Sequence, residues 1–198
     1  MSRETNRDIM NRKEKISTVR TYVLLRQALY SLLTETPFEK ISLTDICSRS
    51  MVPRSTFYRY FEDKYDLLRY SLALFFEEAH LDRDTVFSTD IRSLRRFFDT
   101  LFTYFEKHRE EYVRIYQLNR QGILIDTMRS FIMQIFLDKI SEAEETGIHL
   151  TIPAPIFTRL LADFYVSAAR CYLESNGEYT AARFSQSVIR FAEKEFFE

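Results

Sequence analysis

Residues 42–64, SLTDICSRSMVPRSTFYRYFEDK, decide the fold. Ser42 precedes an apolar-periodic stretch and Asp45 follows three places later, which approximates a capping box, the reciprocal pairing that satisfies open amides at a helix start. Leu43 and Ile46 point inward from that helix. Pro53 suits the first turn of a second helix, where its missing N–H would have had no intrahelical partner. From there Phe57 and Phe61 fall four residues apart on one face, while Arg54, Ser55, Thr56, Tyr58 and Arg59 spread over the remaining surface. Two short helices about a tight turn, followed at once by a third, make a helix-turn-helix. The outward face of its second helix is built of hydrogen-bond donors.

Upstream, a helix is expected from about Thr18, with Leu24, Leu25, Ala28, Leu29, Leu32 and Leu33 as its buried stripe and Pro37 as its stop. Phe38 and Ile41, apolar in an otherwise polar link, are expected to plug a small three-helix core. Residues 1–17 hold Arg3, Arg7, Arg12, Lys13 and Lys15 without a sustained apolar period and read as a flexible basic arm. Downstream, a fourth helix should run from near Asp63 to about His80. It is apolar nearly all round and must be covered on more than one side. After the polar break DRDTVFSTD (82–90), helices are expected at about 90–106, 109–120, 123–145, 155–175 and 180–197. Gly147, Pro153, Pro155 and Asn176-Gly177 supply stops. The pattern is all-α, about nine helices with no strand. It divides into the arm (1–17), a helix-turn-helix head (18–78) and a helical bundle (79–198).

The formal net charge of −1 hides an asymmetry: residues 1–69 carry 13 Lys and Arg against 9 Asp and Glu, whereas residues 70–198 carry 15 against 20. A basic front and an acidic rear suit approach of the front alone to a polyanion. Cys47 and Cys171 lie far apart inside apolar patterns and read as small buried hydrophobes. His80, His108 and His149 have no metal-ligand spacing, and three glycines leave no place for a phosphate-cradling loop. Asp and Glu fall at ordinary helical spacing, without a nucleophile and base pair. No stretch of about eighteen apolar residues is present, and the expected compartment is the cytoplasm.

The run TFYRYFEDKYDLL, within a spacing kept from about Val19 to Leu68, resembles the TetR/AcrR family of bacterial transcriptional regulators, in which a helix-turn-helix precedes T-F/L-Y-x-H-F and a Lys opens the fourth helix. Two positions depart from that pattern. Met51 replaces the usual turn Gly, so the turn either avoids the left-handed conformation or tolerates strain. Tyr60 replaces His but keeps a hydroxyl. The second helix of such a motif enters the major groove with its N-terminal residues at base edges. Arg54 is therefore placed to bond guanine O6 and N7, with Ser55 and Thr56 beside it. The resemblance implies that Thr44 and Thr56 contact bases or backbone, that Ser42, Tyr58 and Tyr60 contact phosphates, and that Lys64 reaches a phosphate from the start of the fourth helix. Arg59 reads equally as a phosphate contact or a solvated charge.

The resemblance also implies a homodimer made by the last two long helices. Candidate interface residues are Ala162, Tyr165, Ala168, Ala169, Tyr172, Phe184, Val188 and Phe191, and the alternative is that they close the core of one chain. An effector pocket is implied among the middle helices, with Phe97, Leu101, Phe102, Phe105, Tyr112, Tyr116, Phe131 and Phe136 as candidates. Aromatic stripes at helical spacing serve equally as plain core. The expected function is sequence-specific binding of double-stranded operator DNA by a homodimeric repressor that answers to a small, partly apolar effector, with no membrane partner, cofactor or metal. An activator, an effector-independent regulator, a helical adaptor and an enzyme on a helical scaffold are the alternatives.

Overall fold

The computed structural model describes residues 6–81, 91–147 and 149–194, and the side-chain environments from residue 18 onward. The expected break at 82–90, the first five residues of the arm and the last residues of the C-terminal helix lie outside the described residues. Within them the chain is all-helical. It forms two compact units, residues 1–68 and 69–198.

In the first unit α1 (Asn6–Leu33) is joined by a short 3-10 turn (Phe38–Lys40) to α2 (Leu43–Ser50), α3 (Arg54–Phe57) and the start of α4 (Lys64–Glu78). The helix α1 begins at Asn6, so the expectation of a flexible arm is corrected for residues 6–17. They lack an apolar period, but the sequence has no Gly or Pro before Pro37 and this stretch is rich in good helix formers. The stripe Leu25, Ala28, Leu29, Leu32 and Leu33 is buried, together with Phe38, Ile41, Ile46, Phe57, Phe61, Leu67 and Leu68. Phe38 and Ile41 thus fill the core as their composition suggested. Regular α-helix stops at Phe57 rather than continuing to Phe61. Beyond it the chain tightens, with Arg59 N–H bonded to Thr56 O at 3.2 Å and Tyr60 N–H to Phe57 O at 2.9 Å.

In the second unit, beyond the end of α4, lie α5 (Ile91–Lys107), α6 (Arg109–Leu118), α7 (Ile123–Glu145), α8 (Ala154–Glu174) and α9 (Ala181–Ala192). The helix α9 is shorter than expected: Lys194 adopts φ +61° just past its end. Phe97, Phe98, Leu101, Phe102 and Phe105 make one buried stripe along α5, which packs on α8 and α9, while α8 also packs on α6 and α7. An ion pair from Arg129 of α7 to Asp163 of α8 (2.5 Å) pins the last of these contacts. The α8–α9 turn uses Gly177 at φ +94°, where a Cβ would stand 2.7 Å from the Arg109 guanidinium.

Two expectations change here. Of the candidate effector residues, Phe97, Leu101, Phe102, Phe105, Tyr116 and Phe136 are buried, and Tyr112 and Phe131 pack against the same cluster. Their volume is occupied by rings: Phe102 stacks on Tyr172 with centroids 4.8 Å apart, Phe97 meets Tyr165 edge-on at 4.9 Å, and Phe136 lies 5.6 Å from Tyr165. An open groove of about 590 Å³ lies instead over α6, lined by Arg109, Glu110, Val113, Arg114, Gln117 and Asn176. Of the candidate interface residues, Ala162, Tyr165, Ala168, Ala169, Tyr172 and Val188 are buried within one chain, and Phe184 packs on Phe102 and Tyr172. Small residues on α8 admit close approach of helices of the same chain. Only Phe191 of that set is exposed, and Cys171, expected to be buried, is exposed too.

Candidate nucleic-acid interface

The site is built from the capping of α2 outward. The Ser42 hydroxyl accepts the Asp45 N–H (3.2 Å) and donates its own proton to Asp45 Oδ2 (2.6 Å), while the Ser42 N–H reaches the same carboxylate at 2.8 Å. Both halves of the capping box are therefore present. The Ser42 hydroxyl, and after it the Ser42 amide, hold the Asp45 carboxyl below its ordinary pKa. The exposed Ser42 thus serves as the cap of α2 in this chain. At the other end of α2, Arg49 forms a two-pronged pair with Glu35 (2.9 and 2.7 Å) and bonds Ser31 Oγ at 2.6 Å, tying α2 to α1. Met51 then makes the turn in the left-handed conformation (φ 56°, ψ 26°), so strain is tolerated where Gly would relieve it. Its side chain is 85% exposed.

Pro53 caps α3 and Arg54 follows as its first residue. Arg54 is exposed, and its Nη2 donates to Thr44 Oγ1 on α2. That bond joins the two helices of the motif through the two side chains best suited to bases. A guanidinium has five N–H donors, so four remain for another partner. Ser55 and Tyr58 are exposed beside it, Thr56 is half-buried, and Phe57 anchors the helix in the core. The exposed Arg59 lies over the Tyr60 ring, 5.7 Å from its centroid. Tyr60 packs on Tyr22 (5.2 Å), and its hydroxyl stands 3.4 Å from Thr18 Oγ1 of α1. Thr18 thus joins the site, although its sequence signal marked only a helix start.

Lys64 differs from expectation. Its ammonium points into the unit, donating to the carbonyl oxygens of Phe38 (3.0 Å), Glu39 (3.2 Å) and Ile41 (2.7 Å). All three N–H bonds are used, and none is left for a phosphate. The arrangement from Thr44 to Tyr60 remains a helix-turn-helix whose exposed face consists of a guanidinium, hydroxyls and a second Arg. Those groups suit base edges and phosphate oxygens.

Such a motif, displayed on an all-helical chain, defines a DNA-binding transcriptional regulator. Residues 25–70 match the model of the tetR family of bacterial regulatory proteins. The match covers the helix-turn-helix unit and the start of α4. A search of curated proteins finds none that matches. Among solved structures, a TetR transcriptional regulator from Streptococcus agalactiae is 20% identical, with 92% of this chain and 98% of that one covered at a TM-score of 0.58. FadR from Bacillus subtilis, solved in complex with stearoyl-CoA, is 16% identical over 86% and 96% at 0.55. A TetR-family regulator from Syntrophomonas wolfei is 18% identical over 90% and 95% at 0.52. These likenesses extend the shared fold beyond the matched segment to nearly the whole chain. Among the described residues no helix is long and apolar enough to cross a membrane.

Proposed function

We propose that the protein is a homodimeric repressor of a near-palindromic operator. The observation that carries this reading is the joined pair of Arg54 and Thr44 on the exposed face of the motif. Arg54 reads a guanine and Thr44 holds the guanidinium in register, with Ser55 and Thr56 beside them. Tyr58, Arg59 and the Thr18–Tyr60 pair take phosphates, contacts that fix register without reading sequence. Repression requires only that the bound protein obstruct polymerase.

The second copy is assigned to the outward face of α8 and α9. Ile156 and Leu160 (54% and 64% exposed) follow one another at helical spacing, and Phe191 (59% exposed) stacks on Phe164 at 6.1 Å. An apolar stripe of this kind favours burial against a partner. Selection of bound sequences from random duplex DNA tests the reading: inverted repeats with half-site centres about 34–36 Å apart are expected. Leu160→Arg should yield a monomer by light scattering and lose operator affinity, with stability changed by no more than about 0.5 kcal/mol. An unrepeated motif together with an intact Leu160→Arg dimer rejects it.

A second reading adds an effector, supported by the fold shared with FadR, which was solved with stearoyl-CoA. In this chain an apolar ligand entering the middle helices must part rings that meet one another. Operator and ligand would then weaken each other by the same factor, commonly about 5- to 150-fold. Calorimetry with stearoyl-CoA, with and without operator, measures both sides of that coupling.

A further inference from the structure

The link between α1 and α2 places three carbonyl groups around one point. Phe38–Lys40 forms a 3-10 turn closed by the Ile41 N–H on Phe38 O, and a carbonyl oxygen keeps a second lone pair for another donor. The Nζ of Lys64 fills that point with bonds of 2.7–3.2 Å to Phe38, Glu39 and Ile41. It also lies 4.7 Å from the centroid of the buried Phe38 ring and 5.5 Å from that of Tyr65, within cation–π range. Burial pulls its pKa below the ordinary lysine value. Ile41, which accepts the shortest of the three bonds, is the residue just before the α2 cap Ser42.

We propose that Lys64 is a positioning residue of the DNA-reading unit: it locks the carbonyls of residues 38–41 to the first turn of α4 and so fixes where α2 starts. Thr44 stands in the first turn of α2, and Arg54 is bonded to Thr44. Displacing the link therefore displaces the base-reading pair, with no loss of a phosphate contact. A lysine is required because its three donors converge from a compact head. An arginine has a planar fork whose donors match a carboxylate or phosphate edge and not three separate carbonyls.

The consequence for DNA rests on the proposed reading of Arg54 and Thr44, whereas the lock itself rests on local geometry, and the two are tested apart. Amide hydrogen exchange on full-length wild type and Lys64→Met reads the lock. Exchange at Lys40 and Ile41, whose N–H groups bond Pro37 O and Phe38 O, should rise roughly tenfold or more relative to core amides of α1 such as Leu29. Exchange unchanged there, or raised equally at Leu29, overturns the lock. Binding of a mixed-sequence duplex across a salt series reads the consequence. Lys64→Met should weaken binding at every salt with an unchanged salt slope, and Lys64→Arg should not rescue it. A slope lowered by about one with rescue by Arg overturns the proposal in favour of a direct phosphate contact. Wild type that binds no duplex, alongside the expected exchange pattern, overturns the DNA consequence and leaves the lock standing.

Discussion

In residues 1–68 the side chains that place the reading helix are held by directional polar bonds: Ser42 with Asp45, Arg49 with Glu35, Arg54 with Thr44, Lys64 with three carbonyls. In residues 69–198 the corresponding role falls to rings, with Phe98, Phe102, Tyr165 and Tyr172 stacked or edge-on around α5 and α8. A polar bond requires given atoms at a given spacing, so few sequences satisfy it. Ring packing is met by many arrangements of Phe and Tyr, so composition predicts a core without predicting its partners. The first unit is therefore read by motif and the second by volume.

That contrast can be broken or sharpened by substitution. The largest effect is expected at Phe102, which is wholly buried. Phe102→Ala should cost about 3–5 kcal/mol in urea unfolding, and a loss below about 1 kcal/mol would mean the rings do not carry the second unit. Arg54→Ala should leave stability within about 0.5 kcal/mol while removing about 1–3 kcal/mol of preference for one guanine in each half-site, measured by competition between single-base operator variants. Undiminished preference would remove Arg54 from the reading role. Met51→Gly should stabilise the chain by about 1 kcal/mol, because the left-handed conformation carries a penalty of about 1–2 kcal/mol for a residue with a Cβ; a lower unfolding midpoint would show that the exposed Met side chain supplies an offsetting contact. The smallest effect concerns acid. The pKa of Asp45 is depressed in the folded chain, so its contribution is present above the ordinary Asp value of about 3.9 and is lost as pH falls through the folded value. Asp45→Asn should therefore flatten the acid limb of stability measured by denaturant titration below pH about 4. Parallel acid limbs would show that the capping box contributes nothing there.

What was legible in the sequence follows the same division. Ser42, Asp45, Pro53, Phe57 and Phe61 reveal the motif because their relations span one helical turn. Lys64 could be seen to open a helix, but its acceptors lie 23 to 26 residues earlier and only the folded chain brings them to it. Ala162, Ala168 and Ala169 announced a close helix contact without saying which helix, and all three are buried among the helices of their own chain. The outward stripe of Ile156 and Leu160 becomes distinct once their inward neighbours are known. The start of α1 was misplaced because residues 6–17 carry no apolar period to detect.

The regular part of α3 is a single turn, Arg54–Phe57, and its last residue faces the core. So short a reader specifies few base pairs, and its half-site carries little information. A bacterial genome offers on the order of 10⁶ competing positions, among which brief words recur often by chance. Two copies held at fixed separation double the number of specified letters without adding a side chain, so chance occurrences fall as the square. On the proposed homodimer, genomic selectivity would be a property of spacing between readers as much as of any residue within one, and operators that keep the spacing while varying in letters would be the ones shared among several promoters.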